Sequence, residues 1–240
     1  MPHITETCEG PFWIWDQDHL GQVLTSGAFW DGHLKPFMDE ALSPTRDVLD
    51  VGASIGWFTV YLAQRARRTL AVEAHPLTFD LLTRNIALHG LAERVWTSNR
   101  VAFSQGAQPF RVGDYAMFGL PDCSNMDATS AASSIPFVPL AEGEEAEAVQ
   151  TICLDTILAG WDVSLIKVDV QGCDLHALIG LEETIRRCRP RILFEFEGAP
   201  SNYHGHSLPA YEAFFAKLPR YGKPRRIRED IWDYVVDPHN

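Results

Sequence analysis

An open, doubly wound and mostly parallel α/β sheet is the fold class this chain predicts, on three observations. Short apolar runs end in a glycine turn or an acidic residue, a helical apolar stripe follows each, and the pattern then returns to an extended run. Such alternation calls for right-handed crossovers, which place helices on both faces and ligand-facing loops at the carboxyl ends of the strands. With 240 residues, 46% hydrophobic and 22% charged, the chain has length for one well-buried domain and modest appendages.

The first strand is Val48-Leu49-Asp50-Val51, which runs into the turn Gly52-Ala53-Ser54-Ile55-Gly56 and a helix over Trp57 to Ala66, with Trp57, Phe58, Tyr61 and Leu62 on one face. A second strand, Leu70 to Ala74, ends at Glu73. Pro76 suits the first turn of the next helix, whose stripe is Leu77, Leu81, Leu82 and Ile86 and whose stop is Gly90. Val95 to Phe103 reads as a third strand and Ser164 to Val170 as a fourth, followed by Gly172 and a helix carrying Leu175, Leu178, Ile179 and Ile185. Pro190 separates that helix from a fifth strand, Arg191 to Phe196. Arg225 to Arg228 and Ile231 to Val236 form a hairpin about Glu229-Asp230, adding antiparallel strands to one sheet edge.

Sixty residues separate the third and fourth strands, too long for a structureless loop in a compact domain, so extra strands or a cover are expected there, with Pro109 to Val112 and Val149 to Leu154 as candidates. Asp155 starts a short helix. Residues 1–46 hold Phe12, Trp13, Trp15, Phe29 and Trp30 but are too few to bury a core of their own. They are expected to form an extension over the catalytic edge of a domain spanning 47–240; aromatics that merely cover a sheet edge are the plainer alternative.

A net charge of −12, from 20 basic and 32 acidic residues, opposes a polyanionic partner and disfavours nucleic acid. Cys8, Cys123, Cys153, Cys173 and Cys188 include no Cys-x-x-Cys pair, and their odd number points to reduced, buried thiols. Glu6 and Glu9 near the start, with no basic-then-apolar leader and no long apolar run, predict a cytoplasmic protein without a membrane partner.

The turn reads Asp-x-Gly-x-x-x-Gly rather than Gly-x-Gly-x-x-Gly, and Asp50 would repel a pyrophosphate. A sulfonium cofactor with an ammonium-bearing tail tolerates that carboxylate, which points to S-adenosyl-L-methionine. Glu73, roughly 20 residues on, is positioned to accept from both ribose hydroxyls. Candidate cofactor residues are Asp50, Gly52, Ala53, Ser54, Gly56, Glu73, Ala74 and Asp169, with Gly52 expected to let the backbone approach the ligand closely. The plainer reading has Asp50 and Glu73 ending strands and capping helices.

The strand series Leu49-Asp50-Val51-Gly52-Ala53-Ser54-Ile55-Gly56, Val72-Glu73-Ala74-His75-Pro76, Asn85-Ile86-Ala87-Leu88, Thr151-Ile152-Cys153-Leu154-Asp155, Ile166-Lys167-Val168-Asp169-Val170-Gln171-Gly172 and Pro190-Arg191-Ile192-Leu193-Phe194-Glu195 resembles the FkbM family of S-adenosylmethionine-dependent methyltransferases. The resemblance covers residues 47–197 and implies a Rossmann-like class I fold and methyl transfer to an oxygen of a small molecule, a sugar or natural-product hydroxyl. Ser54 stands where the family usually has Asn, and Gln171 where it usually has Glu. A divalent metal would lose a charged ligand at 171, so no obligatory metal is expected.

Methyl transfer from a sulfonium is chiefly a matter of positioning an acceptor in line, with a base required when the acceptor is a neutral hydroxyl. Lys167 and Asp169 share one side of the fourth strand; Lys167 needs a buried partner, for which Glu195 on the next strand is the expected choice. Asp169 would contact the cofactor's ammonium or take a proton. His204, with His206 close by, follows the fifth strand and is a candidate base. Lys167, Asp169, Glu195 and His204 are thus the candidate catalytic residues, and a structural Lys167 ion pair, surface histidines or a His-x-His metal pair are the competing readings. A carboxyl methyltransferase, with Lys167, Arg100 or Arg111 orienting an anionic acceptor, a non-catalytic cofactor-binding module and, more distantly, a nicotinamide enzyme remain open. Oligomeric state is not legible.

Overall fold

All five residues of β3 (Asp47–Val51) are buried, as they are along β4 (Thr69–Val72) and β9 (Val163–Val168), which flank it in parallel. Strands covered on both faces read as continuous apolar runs, which is why these three were legible. In the computed structural model, which describes residues 1–15, 19–111, 148–170, 172–196 and 205–239, β5 (Val95–Ser98) extends one side in parallel and β10 (Arg191–Glu195) the other. β12 (Asp233–Val236) pairs antiparallel with β10, and β11 (Arg225–Arg226) pairs antiparallel with β12 at the edge. The sheet order is β11-β12-β10-β9-β3-β4-β5, the mostly parallel, Rossmann-like sheet with an antiparallel C-terminal hairpin that the sequence predicts. No helix among the described residues is long and apolar enough to cross a membrane.

Helix α3 (Trp57–Ala63) is buried on every side, shorter than its apolar pattern implies. Its outer side is covered by the N-terminal segment: the Phe29 ring lies 5.0 Å from that of Trp57 and 5.3 Å from that of Tyr61. That segment comprises the hairpin β1 (Pro2–Thr7) and β2 (Gly10–Trp15), then α1 (His19–Thr25) and α2 (Lys35–Ala41). It docks on α4 (Pro76–Leu88), where Trp13 N donates to Asn85 Oδ1 at 2.6 Å and Asn85 Nδ2 donates to Trp13 O at 3.0 Å. Phe12, Ile14, Leu24, Leu34 and Met38 share one apolar core with β3 and α3. Leu81, Leu82 and Ile86 of α4 are buried as expected, whereas Leu77 is exposed.

Two expected elements differ. The strand expected over Val95 to Phe103 breaks after Ser98, because Asn99 turns inward and its Nδ2 donates to the carbonyls of Glu73 and Ala74 at 2.9 Å. The chain resumes as β6 (Val101–Ala102), which joins β7 (Pro109–Arg111) and β8 (Ala148–Ile152) in a separate small sheet within the long intervening stretch. The helix after Gly172 is two, α5 (Asp174–Ile179) and α6 (Glu182–Cys188), with Ile179 exposed. A Cβ at Gly180 would sit 2.3 Å from Phe103 O, and the Asp155 carboxylate, in the preceding 3-10 turn, accepts from the backbone N–H groups of Glu183 and Thr184 and so starts α6. α7 (Leu208–Ala216) covers the β10 flank, its Tyr211 ring stacked 4.9 Å from Phe194. None of Cys8, Cys153, Cys173 and Cys188 is in a disulfide, but of the thiols expected to be buried only Cys173 is, Cys153 and Cys188 being half-buried and Cys8 exposed; Cys123 lies outside the described residues.

The amino end of the sheet is tied by Asp47, fully buried and gripped by two guanidinium groups. Arg67 donates to it at 2.8 and 2.6 Å, Arg68 at 3.0 and 2.7 Å, and the Asp162 backbone N–H at 2.9 Å. Burial pushes its pKa up, but these donors overcome that effect and hold it below the ordinary carboxylate range. Asp47→Asn should therefore cost about 3 kcal/mol in urea unfolding at neutral pH, since it leaves two guanidinium groups facing a neutral amide. A folded-state pKa below the unfolded one stabilises above about pH 4 and is lost on acidification. The Asn variant should accordingly lose less stability than the natural protein between neutral pH and acid.

Candidate active site

The turn after β3 is built by close backbone contact. Gly52 has φ +84°, and a Cβ there would lie 1.8 Å from the Asp169 carbonyl oxygen beyond β9. The N–H groups of Gly52 and Ala53 both donate to Val72 O, at 2.8 and 2.9 Å. Gly56 has φ +93°, and its Cβ would stand 2.8 Å from Leu82 Cδ1 on α4. These glycines are required by contacts inside the protein, apart from any part Gly52 has in ligand approach.

Ser54 follows in the left-handed region, at φ +49°. Its N–H donates to Glu73 Oε2 at 2.8 Å, while Glu73 Oε1 accepts from His75 N at 2.8 Å and, more weakly, from Thr78 Oγ1 at 3.4 Å. The Glu73 carboxylate thus clasps the two turns together. Burial pushes its pKa up to about 7 despite these bonds. With roughly four acceptor positions on a carboxylate, it keeps capacity for a hydroxyl, though less than the pair of ribose contacts expected. Ala74 is half-buried beside it.

Strand register sets the charged partners. Asp50 lies opposite Lys167, and Leu193 faces Lys167 from β10, so Glu195 falls further along, opposite Asp233. The expected Lys167–Glu195 pair is replaced accordingly. Lys167 Nζ, almost fully buried, is 3.1 Å from Asp169 Oδ2, 4.0 Å from Asp50 Oδ1 and 4.8 Å from the Phe58 ring centroid. Burial disfavours its charge, but Asp169 and Asp50 outweigh that and hold it protonated. Asp50 is buried beneath the turn, with Oδ2 accepting from Thr59 Oγ1 at 2.6 Å and Oδ1 finding no hydrogen-bond donor among the described residues. Burial raises its pKa against the pull of Lys167. It faces the cluster from below rather than presenting itself on the surface.

Two segments that the sequence reading passed over complete this edge. Asp31, non-glycine at φ +46°, is near enough to Asp169 and Lys167 to feel their charges, and burial together with Asp233 and Asp169 lifts its pKa to about 6. His33 Nε2 is 2.8 Å from Asp233 Oδ2 and its Nδ1 is 4.0 Å from Asp31 Oδ1. The hydrogen bond to Asp233 raises the His33 pKa against desolvation. Nothing in local spacing announces residues 31, 33 and 233 as neighbours; the one signal is Asp31-Gly32, a break in the aromatic segment. His204 and Gln171 lie outside the described residues, while His206 sits against His176 and Tyr211, with ring centroids 4.7 and 6.4 Å away. Arg100 is exposed and lines a cavity of about 580 Å³ with Arg68, Trp96 and Trp161, along the β5 edge.

The residues present fit a cationic nucleoside. Asp50 and Asp169 flank a single ammonium, Asp50 Oδ1 is a buried acceptor without a hydrogen-bond donor among the described residues, and Glu73 retains acceptor capacity. A pyrophosphate would meet like charge at the same turn. Among the described residues no group of three His, Cys, Asp or Glu side chains is disposed to hold a metal ion.

Two substitutions test the turn. Gly52→Ala should destabilise the protein by at least about 3 kcal/mol in chemical denaturation, because both φ and the Asp169 contact forbid a side chain. Ser54→Asn should stabilise it by about 0.5 kcal/mol, since Asn enters the left-handed region more readily than Ser.

Comparison with known proteins places this geometry. A family profile described as the methyltransferase FkbM domain matches residues 50–223. Among solved structures, the methyltransferase FkbM from Methylobacillus flagellatus KT superposes with a TM-score of 0.52 at 16% identity, covering 82% of this chain but 44% of its own. The chain thus spans less than half the length of that protein. An rRNA methylase from Streptococcus thermophilus gives a TM-score of 0.47 at 11% identity, covering 87% of this chain and 95% of its own. TYW2 from M. jannaschii, in complex with AdoMet, gives 0.44 at 15% identity, covering 99% and 84%. No curated protein sequence matches. The profile match runs from the buried aspartate of β3 past the fifth parallel strand and α7, and on it the chain belongs to the methyltransferase FkbM domain family.

Proposed function

We propose that this protein is a cytoplasmic O-methyltransferase that uses S-adenosyl-L-methionine to methylate a hydroxyl of a small molecule, with residues 1–46 forming one wall of the site. The observation that carries this reading is the charge balance at the carboxyl edge. Lys167 is already committed to Asp169 and Asp50, and the remaining groups are carboxylates and a histidine. Among the described residues an anionic acceptor would find no uncommitted cation there, which weighs against the carboxyl-methylating alternative; the Arg111 side chain lies outside the described residues. A neutral hydroxyl, which needs a base and no counter-charge, suits the site.

The cofactor would supply a methyl group bound to positively charged sulfur. Glu73 would hold the ribose, the Gly52–Gly56 turn would support the amino-acid tail, and Asp169 would face the reacting end. His33, oriented through Nε2 by Asp233, is the candidate proton acceptor in place of His204. The acceptor hydroxyl would give up its proton to Nδ1 of His33 on methylation. A base must start unprotonated, so turnover should rise with pH through a pKa above the ordinary histidine value.

The cofactor assignment is tested by S-adenosylhomocysteine titration, in which Glu73→Ala should weaken binding by about 10- to 100-fold. Unchanged affinity would remove the ribose role. For the acceptor, an ether product from a hydroxyl panel is expected. His33→Gln should lower kcat by about 10²–10⁴-fold and abolish the rise with pH, while S-adenosylhomocysteine affinity stays close to that of the natural protein. An ester product would transfer the assignment to a carboxylate acceptor.

A further inference from the structure

The cavity of about 580 Å³ at the β5 edge is distinct from the carboxyl-edge cluster: Asp50, Glu73, Lys167, Asp169 and His33 take no part in its lining. In the parallel register Trp96 stands opposite Leu70 and Ser98 opposite Val72, so period-2 alternation sets both on the sheet face where Leu70 and Val72 share a core with Trp161, Leu178 and Ile185. Ile152 of β8, Ile157 and Trp161 form the facing wall. Trp96 keeps 45% of its surface exposed and Ile157 44%, so two large apolar side chains look into one opening.

The charge of the lining runs against that of the chain. Among 32 acidic and 20 basic residues, the lining draws two arginines, Arg68 and Arg100, and no carboxylate. The Arg68 guanidinium lies between the indoles, with Cζ 4.3 Å from the Trp161 ring centroid and 5.7 Å from that of Trp96, and the two rings meet edge to face at 5.6 Å. Its Nε and Nη2 donate to Asp47 at 3.0 and 2.7 Å, but Asp47 also holds Arg67, so one negative charge serves two positive ones. Of the other carboxylates near these segments in the chain, Asp162 is paired with Arg46 at 3.0 Å, and Asp155 accepts from the N–H groups that start α6. Glu93 and Arg94, just before β5, are both exposed and of opposite sign. Arg100 is exposed and makes no hydrogen bond or ion pair among the described residues.

We infer that this cavity is a second binding site, for a small aromatic carboxylate whose ring lies on Trp96 and whose negative group meets Arg100. The inference goes beyond the methyl-transfer reading and does not depend on it. Small-molecule sites of about 300–1,000 Å³ combine apolar and aromatic walls with a few polar groups, and the cavity has that size and composition. An aliphatic anion would leave Trp96 and Ile157 in water, and a neutral aromatic would leave Arg100 without a counter-charge. A polyanionic strand is opposed by the net charge of −12, whereas a single carboxylate meets only the local field of the two arginines. Arg68 has spent its paired donors on Asp47, so it contributes charge and a flat surface, and the bonding contact falls to Arg100.

The probe is naphthalene-2-carboxylate, added to the full chain while NMR follows the indole N–H signals of its seven tryptophans, with the Trp96 signal identified by its loss in Trp96→Phe. A saturable shift of the Trp96 signal is expected, with naphthalene-2-carboxamide, which has the ring without the charge, binding about fivefold more weakly. Arg100→Gln changes an exposed side chain that has no bonds to lose; it should bring the acid down to the affinity of the amide and leave the amide unaltered. Trp96→Ala should weaken both ligands by about tenfold. Failure of the acid to bind, shifts confined to other indoles, or equal affinity for acid and amide in the natural protein would each overturn the inference without recourse to any variant. So would undiminished acid binding in folded Arg100→Gln, which would leave the indoles as a general apolar surface.

Discussion

The carboxyl edge of the sheet depends on how closely the turn after β3 approaches the end of β9. A Cβ on Gly52 would lie 1.8 Å from Asp169 O, so only a bare backbone can pass there. That approach brings β3 and β9 into the register that sets Asp50 opposite Lys167, and Val51 O accepts from Asp169 N at 2.9 Å. From the same turn, the Ser54 N–H reaches Glu73 at the end of β4. Three strand ends are thereby coupled through one glycine.

Electrostatics follows from that packing. Fully burying Lys167 without partners would cost several kcal/mol, which Asp169 and Asp50 offset. Asp169 in turn adds, after burial and Asp233, to what lifts the Asp31 pKa. At the opposite end of the sheet the balance is reversed in sign, with Arg67 and Arg68 both bonded to the one Asp47 carboxylate. One end is closed by those bonds and holds the fold together, while the other gathers carboxylates where ligands bind in open α/β sheets.

The chain's two outlying segments meet over this edge. His33 and Asp233 are 200 residues apart and joined at 2.8 Å, so the N-terminal segment and the C-terminal hairpin each supply half of one contact. The hairpin earns its place by extending the sheet beyond β10, which brings Asp233 level with Glu195. The N-terminal aromatics account for the burial of α3 on its outer side, and the segment that carries them also carries Asp31.

The sequence by itself determined the sheet, because strands buried on both faces are apolar runs and their crossovers leave helical stripes between them. It also determined the turn after β3, since an acidic residue, two glycines and a second acidic residue are tied to local backbone geometry. It was silent on breaks such as Asn99 and Gly180, where a side-chain bond to a distant carbonyl or a close backbone approach overrides a continuous local pattern. Partner choice was equally hidden: Lys167 pairs with Asp50 because of strand register, and Glu195 could not be ruled out until that register was known. Asp31, His33 and Asp233 carry no shared motif, and only tertiary structure brings them together. Local chemistry is written residue by residue, whereas a charge cluster assembled from three separate segments exists only once the chain has closed on itself.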